Sequence, residues 1–419
     1  MDFFQLEDGS MQAEGVPLER IAAEVGTPAY VYSAATLRRH AQVVQQALSG
    51  LDNPLIAFAV KANPNVAVLT LLGKEGLGAD VVSVGEMRRA LAAGIPASRI
   101  VFSGVGKTAA EMKAALEAGI LQLNVESEPE LQQLSAVATA LGKTAEIAIR
   151  VNPDVDAGTH AKISTGKAEN KFGVPLDRIE ALYAEASALP GIRPVGVAAH
   201  IGSQLLDLKP MEAAYTKLGA LVGRLRAAGL GVTRVDLGGG LGIPYDPKLP
   251  LPPSPADYGA MVQRVTKCWD AQLMFEPGRL IAGNAGVLLA QVILVKTGAA
   301  KNFVVLDAAM NDLIRPTLYG VYHDIRAVRP RAGEMVATIV GPVCETGDMF
   351  AEDRSITPVQ AGDLICLMTA GAYGATMAST YNSRPLVPEV LVEGDRYSVI
   401  RRRQTLDELL ELDEVPDWL

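Results

Sequence analysis

"IAFAVKAN" (Ile56–Asn63) opens as an unbroken apolar run and then places a lysine, Lys61, at its end. An apolar run of this length fits a strand buried on both faces, which is the habit of parallel sheets. The residues after it separate the two common parallel architectures. An open doubly wound sheet usually carries a glycine-rich turn after its first strand; here that turn holds Lys61. Seven more β-rich runs follow: "DVVS" (80–83), "IVFSG" (100–104), "QLNVE" (122–126), "EIAIRVN" (146–152), "GVAAHIG" (196–202), "RVDLGGG" (234–240) and "QLMFEPG" (272–278). Between them, stretches such as "GEMRRALAAG" and "KTAAEMKAALEAG" repeat leucine and alanine at helical spacing and close on glycine. Strand and helix alternating eight times predict a parallel sheet closed into a (β/α)8 barrel, with the open doubly wound sheet as the alternative.

Past residue 280 the pattern changes. "VLLAQVILVKTG", "NFVVLDAA", "EMVATIVGP", "DLICLMTAG" and "DRYSVIRRR" are strand-like, with little helix between them. They predict a second, mainly antiparallel β domain. The expected division is a barrel over 31–278 and a β domain made of 1–30 with 279–419, with "AYVYS" leading into the barrel and a short last helix over "TLDELLEL". The proline-rich "PYDPKLPLPPSPADY" (244–258) reads as a surface loop of the barrel.

The bulk numbers narrow the function classes. The chain has 419 residues, 49% hydrophobic and 20% charged, with a net charge of −9 and no long run of either sign. That balance argues against nucleic acid as a partner. No apolar stretch is long and charge-free enough to span a bilayer, and "MDFFQLEDGS" lacks the basic start of a signal peptide. Cys268, Cys344 and Cys366 are widely spaced, and neither CxxC nor HxxxH occurs, so neither a disulfide framework nor a metal site is expected. The expected compartment is the reducing cytoplasm.

Barrels of this kind gather their chemistry at the C-terminal ends of the strands. Those ends hold Lys61, Asp80 with Ser83, Arg150 with Asn152, His200, Gly238-Gly239-Gly240 and Glu276. Taken alone, Lys61 is equally a snorkelling side chain, His200 a satisfied core histidine and the glycine run a tight turn. The loop after the fifth strand, Pro153 to Lys171 with "HAKISTGKAENKFG", is long for a compact α/β unit, and such loops are more often functional than idle. An amine, a glycine run able to offer amides to a phosphate, a ring to stack and a carboxylate for a ring nitrogen together suit pyridoxal phosphate.

The motifs "FAVKAN", "GADVVSVGE", "HAKISTGKAENKFG", "AAHIGSQ", "VDLGGGLG", "FEPGR", "RPTLYG", "GPVCETGD" and "GAYGATMASTYNSRP" resemble, in order, those of bacterial diaminopimelate decarboxylases, from about residue 25 to about residue 390. The resemblance implies pyridoxal 5'-phosphate as cofactor and loss of CO2 from meso-diaminopimelate to give L-lysine. It implies that Lys61 carries the cofactor as a Schiff base, that His200 stacks on its ring and that Glu276 faces the ring nitrogen. Gly238 to Gly240, with the segment from Glu276 through Gly278 to Arg279, would receive the phosphate, and Asp80, Ser83 and Ser203 would complete the cofactor contacts. Arg279, Arg315 and Tyr319 would clamp the substrate's distal carboxylate, Glu345 would take its distal ammonium, and Tyr373 would touch both cofactor and substrate. Cys344 would be the proton donor, reaching with Glu345 into the neighbouring subunit of a homodimer. One departure is Asn170, where many relatives carry serine. A carboxylate facing the ring nitrogen keeps the ring protonated and able to accept the electrons left by CO2, which favours decarboxylation over racemisation. Two readings stay beside this one: another decarboxylase of the same fold, acting on an ornithine, arginine or carboxynorspermidine-type substrate, and a non-catalytic pyridoxal phosphate carrier.

Overall fold

The computed structural model describes residues 3–158, 165–166, 170–299 and 301–419. The chain forms two compact units, one of residues 38–243 with 251–281 and one of residues up to 37 with 244–250 and 282–419.

The first unit contains the eight strands read from the sequence: β1 (Leu55–Ala59), β2 (Gly78–Val81), β3 (Ile100–Phe102), β4 (Gln122–Val125), β5 (Ala145–Asn152), β6 (Ile192–Ala198), β7 (Arg234–Asp236) and β8 (Gln272–Phe275). Each pairs in parallel with the next. The sheet closes where Met274 and Phe275 of β8 pair with Leu55 and Ile56 of β1. Closure excludes the doubly wound alternative. Every residue of β1 is buried, as a strand covered on both faces requires.

The helices between the strands start where side chains can take orphan amides. Asn65, Ser83, Thr108, Ser127 and Ser254 each accept a backbone N–H of the first turn that follows. Ser83, expected among the cofactor contacts, therefore has a local job: its hydroxyl accepts the Glu86 N–H at 3.2 Å and starts the helix Val84–Ala92.

The second unit is built on the long strand Gly286–Thr297, which pairs antiparallel with Asn302–Leu306, with Leu364–Leu367 and with Ala29–Ser33. The sheet continues through Glu389–Glu393, parallel to Ala29–Ser33, to the edge strand Arg396–Arg401. "AYVYS" thus belongs to this sheet instead of leading into the barrel, and Val31 joins Val287, Leu289, Cys366 and Val390 in its core. Residues 244–250 of the proline-rich loop also group with this unit. The cause is visible in Tyr245, whose ring packs edge-on against His323. The last helix, Leu406–Leu410, is capped by Thr405.

Candidate active site

In the barrel unit, β1 ends in a tight helical turn, Val60–Ala62, that turns Lys61 out of the strand line. Its ammonium donates to Asp80 Oδ2 at 3.1 Å. Asp80 lies on β2 and is fully buried. Its other oxygen, Oδ1, is buried without a partner among the described residues.

Glycines 238–240 follow β7, and close approach requires all three to lack a Cβ. Gly238 and Gly240 have φ of +64° and +117°, and a Cβ on Gly239 would lie 2.2 Å from the Glu276 carbonyl oxygen. The run also does internal work. The Gly238 N–H donates to Asp236 Oδ1 at 2.9 Å, and the Gly239 N–H donates to His200 Nδ1 at 3.1 Å. Only the Gly240 N–H has no protein acceptor among the described residues. The glycine run thus fixes an acid and an imidazole before it offers an amide to any anion.

Because Nδ1 of His200 accepts that amide, a neutral ring carries its proton on Nε2. Burial, with the cations Arg150 and Lys61 facing it, holds His200 well below the usual imidazole range. Arg150 is itself anchored: Nη1 donates to Glu126 Oε1 at 2.8 Å, and Nη2 donates to the His200 carbonyl at 3.4 Å.

Glu276, just past β8, sits in a buried polar network that the sequence reading missed. Ser103 donates to Glu276 Oε1 at 3.3 Å, and Asn124 donates to Ser103 and to Asp236 Oδ2. Burial first, and then the facing carboxylates of Asp236 and Asp80, push the Glu276 carboxyl well above its usual range. Asp236 is raised as well, chiefly by burial. Each of these two acids, in contact at the floor of the barrel mouth, is therefore harder to ionise than an ordinary carboxyl. The signal for this network lies in "QLNVE" and "IVFSG", where polar residues interrupt strands that otherwise read as apolar. Three positions after Glu276, Arg279 is buried and donates through Nε and Nη2 to Ser203 Oγ, at 3.3 and 3.2 Å.

The second unit holds the remaining expected residues. Arg315 and Tyr319 bound a one-turn helix, Arg315–Tyr319, which Gly320 ends in a left-handed conformation. Cys344 is exposed, and its N–H donates to Asn382 Oδ1 at 3.2 Å. Glu345 Oε2 accepts the Tyr381 hydroxyl at 2.8 Å. The turn that carries both is tied by buried Asp348, which accepts the Met310 and Val343 amides, each at 2.7 Å. Tyr373 has φ of +56°, a strained conformation for a bulky side chain and one that concentrates at functional sites.

Of the loop expected after β5, residues 159–164 and 167–169 lie outside the described residues, His160 and Lys162 among them. Its described base is well tied. Gly173 N–H donates to Glu126, the Phe172 ring lies 4.8 Å from the Arg150 guanidinium, and the Thr165 hydroxyl donates to the His200 carbonyl. Among the described residues there is no cluster of side chains able to hold a metal ion, and no helix is long and apolar enough to cross a membrane.

The donor set fits pyridoxal phosphate: an amine on a buried carboxylate, a neutral imidazole, a buried carboxyl at the end of the eighth strand and an amide beside an arginine–serine pair. The orphan oxygen of Asp80 and the cradle that a Cβ at Gly238–Gly240 would fill support the same fit. Residues 34–283 match the family described as pyridoxal-dependent decarboxylase, pyridoxal binding domain. The diaminopimelate decarboxylase of Zymomonas mobilis is 54% identical over 99% of both chains, and that of Vibrio cholerae is 50% identical over 99% of both. The crystal structure of the M. jannaschii diaminopimelate decarboxylase in complex with L-lysine superposes with a TM-score of 0.95 at 35% identity, covering 100% of this chain and 99% of that one.

Proposed function

The chain belongs to the diaminopimelate decarboxylases within the pyridoxal-dependent decarboxylases, and from that membership and its site we propose that it converts meso-2,6-diaminopimelate to L-lysine and CO2 with pyridoxal 5'-phosphate. The observation that carries the reading is the placement of Lys61, paired with Asp80, in one electrostatic neighbourhood with the buried carboxyl of Glu276 at the top of the barrel.

When bound, the cofactor supplies the electron sink for loss of CO2. The chain's own residues do the rest. Asp80 holds the Lys61 ammonium at a fixed point, where loss of a proton from Nζ makes the nucleophile. Glu276, fixed by Ser103 beside the Asn124–Asp236 pair, is assigned the ring nitrogen. His200 offers a neutral ring face, which its bond from Gly239 keeps in one orientation. Gly240, Ser203 and the Gly278–Arg279 segment are assigned the phosphate.

Diaminopimelate ends in a second α-amino acid group, so its recognition needs cations as well as an acid. Arg279, Arg315 and Tyr319 are assigned the distal carboxylate, which arginine can take in bidentate fashion. Glu345 is assigned the distal ammonium and Tyr373 both cofactor and substrate. Cys344 is assigned proton delivery to the carbon that has lost CO2. It needs only a proton and reach. The assembly in this reading is a homodimer in which Cys344 and Glu345 serve the partner's site.

Two experiments test the reading. Borohydride treatment followed by denaturation should leave cofactor attached to the wild-type chain and none to Lys61→Ala; equal retention would remove Lys61 from its role. Mixing Lys61→Ala with Cys344→Ala subunits should restore activity, and mixtures as inactive as the parents would overturn the shared site.

A further inference from the structure

Arg315, assigned above to the distal carboxylate, is held by two side chains to which nothing so far gives a role. His323 is fully buried. Its Nδ1 lies 2.8 Å from the Met368 carbonyl oxygen. A carbonyl only accepts, so Nδ1 carries the proton and the neutral ring has its lone pair on Nε2. Arg315 Nε donates to that lone pair at 3.3 Å. The backbone of His323 is fixed too, since its carbonyl accepts Arg354 Nη1 at 3.1 Å.

Tyr245 completes the holder. Its ring centroid lies 5.2 Å from the Arg315 guanidinium carbon, and the ring meets His323 edge-on at 5.3 Å. Tyr319 stands 5.8 Å from the same carbon. With Nε bound to an immobile acceptor and the plane steadied by aromatic rings, the direction of the two terminal nitrogens is set before any substrate arrives. An unrestrained arginine would lose rotamer freedom on binding, and this arrangement removes that cost in advance.

We propose that His323 and Tyr245 are positioning residues that aim Arg315 for bidentate capture of the substrate's distal carboxylate, and so set the preference for a substrate that carries one. The inference rests on the reading of Arg315 as a carboxylate clamp. His323→Phe keeps a buried ring but removes the acceptor. In the holoenzyme it should raise KM for diaminopimelate about tenfold to a hundredfold, the range for a hydrogen bond to a charged group, with kcat nearly unchanged. Inhibition by 1,5-diaminopentane, which has no carboxylate, should stay the same. His323→Gln, which can return an acceptor to Arg315, should recover most of the lost KM.

If His323→Phe does not fold, half-buried Tyr245 carries the test. Tyr245→Leu should raise KM by about threefold to tenfold through loss of the cation–π contact, and Tyr245→Phe should not. An equal loss of affinity for diaminopimelate and diaminopentane in these variants would mean general damage and overturn the proposal. Arg315→Ala separates the two levels. If it raises KM while the His323 and Tyr245 variants do not, the positioning role fails and the clamp stands; if it leaves KM unchanged, the clamp and the proposal fall together.

Discussion

The Arg150–Glu126 pair gives a strong test of how the barrel mouth is held. The two side chains are only 10% and 2% exposed and meet at 2.8 Å. Glu126 also accepts the Gly104 N–H at 3.0 Å and the Gly173 N–H at 3.2 Å, so it ties β3, β5 and the following loop together. Glu126→Gln keeps the shape but leaves a buried guanidinium without its counter-ion, which should cost about 3–5 kcal/mol. Arg150→Met leaves a carboxylate still served by two backbone amides, and the loss should be smaller, about 1–3 kcal/mol. The double variant removes both charges together and should be more stable than Glu126→Gln alone. Urea unfolding of the four proteins measures the cycle, and a coupling of about 2 kcal/mol or more is expected. The unbalanced charge also reaches function, because Arg150 donates to the His200 carbonyl. Each of the variants should therefore retain less cofactor than the wild type. Strictly additive losses, within about 0.5 kcal/mol, would refute the reasoning.

Three further outcomes follow from the same geometry. Glu276 has a folded pKa raised above its ordinary 4.5, so its contribution to stability is full below that value and is lost as pH rises through the folded pKa. Glu276→Gln removes this slope: cofactor-free variant and wild type should diverge in the variant's favour as pH rises above 4.5, while turnover falls by about a hundredfold or more; a difference that does not change with pH would count against the raised carboxyl. Gly239→Ala would place a Cβ 2.2 Å from the Glu276 carbonyl oxygen and should lose cofactor, whereas Gly223→Ala, where nothing lies within 4 Å, should be neutral or stabilising by up to about 1 kcal/mol; unfolding and cofactor titration of both check the contrast. Cys366 is buried, and burial pushes its thiol up to about 12, while Cys268 and Cys344 are exposed. A thiol reagent should modify the latter two in native protein and Cys366 only after unfolding; loss of activity should track Cys344, with substrate slowing it, and mass mapping of the modified peptides decides.

The barrel was legible because buried parallel strands read as continuous apolar runs, and the residues that break such runs at their ends, Lys61, His200 and Glu276, do lie in the barrel unit where chemistry gathers. The letters were less informative where one local pattern serves two sheets. "AYVYS" is fully buried in either setting, and only its pairing with Gly286–Thr297 tells which sheet it joins. Ser83 shows a different limit, since a serine before a helix is a cap by local chemistry whatever lies above it. The glycine run reads as an anion nest, yet two of its amides turn inward, one to Asp236 at the end of its own strand and one to His200 after the neighbouring strand. Tyr245 as a holder of Arg315 and Tyr381 as a holder of Glu345 were not readable at all. Tyr245 lies 70 positions from Arg315, and Tyr381 lies 36 from Glu345, so only the folded chain makes them neighbours.

The most direct measurement is turnover. Purified protein reconstituted with pyridoxal 5'-phosphate is given meso-diaminopimelate, ornithine or arginine, and CO2 and amine products are followed. Lysine and CO2 in equal amounts from diaminopimelate, with neither of the others consumed, is the predicted result. Release of CO2 from ornithine or arginine in preference to diaminopimelate would contradict the assignment of Arg279, Arg315 and Tyr319 to a distal carboxylate, and with it the account given for this chain.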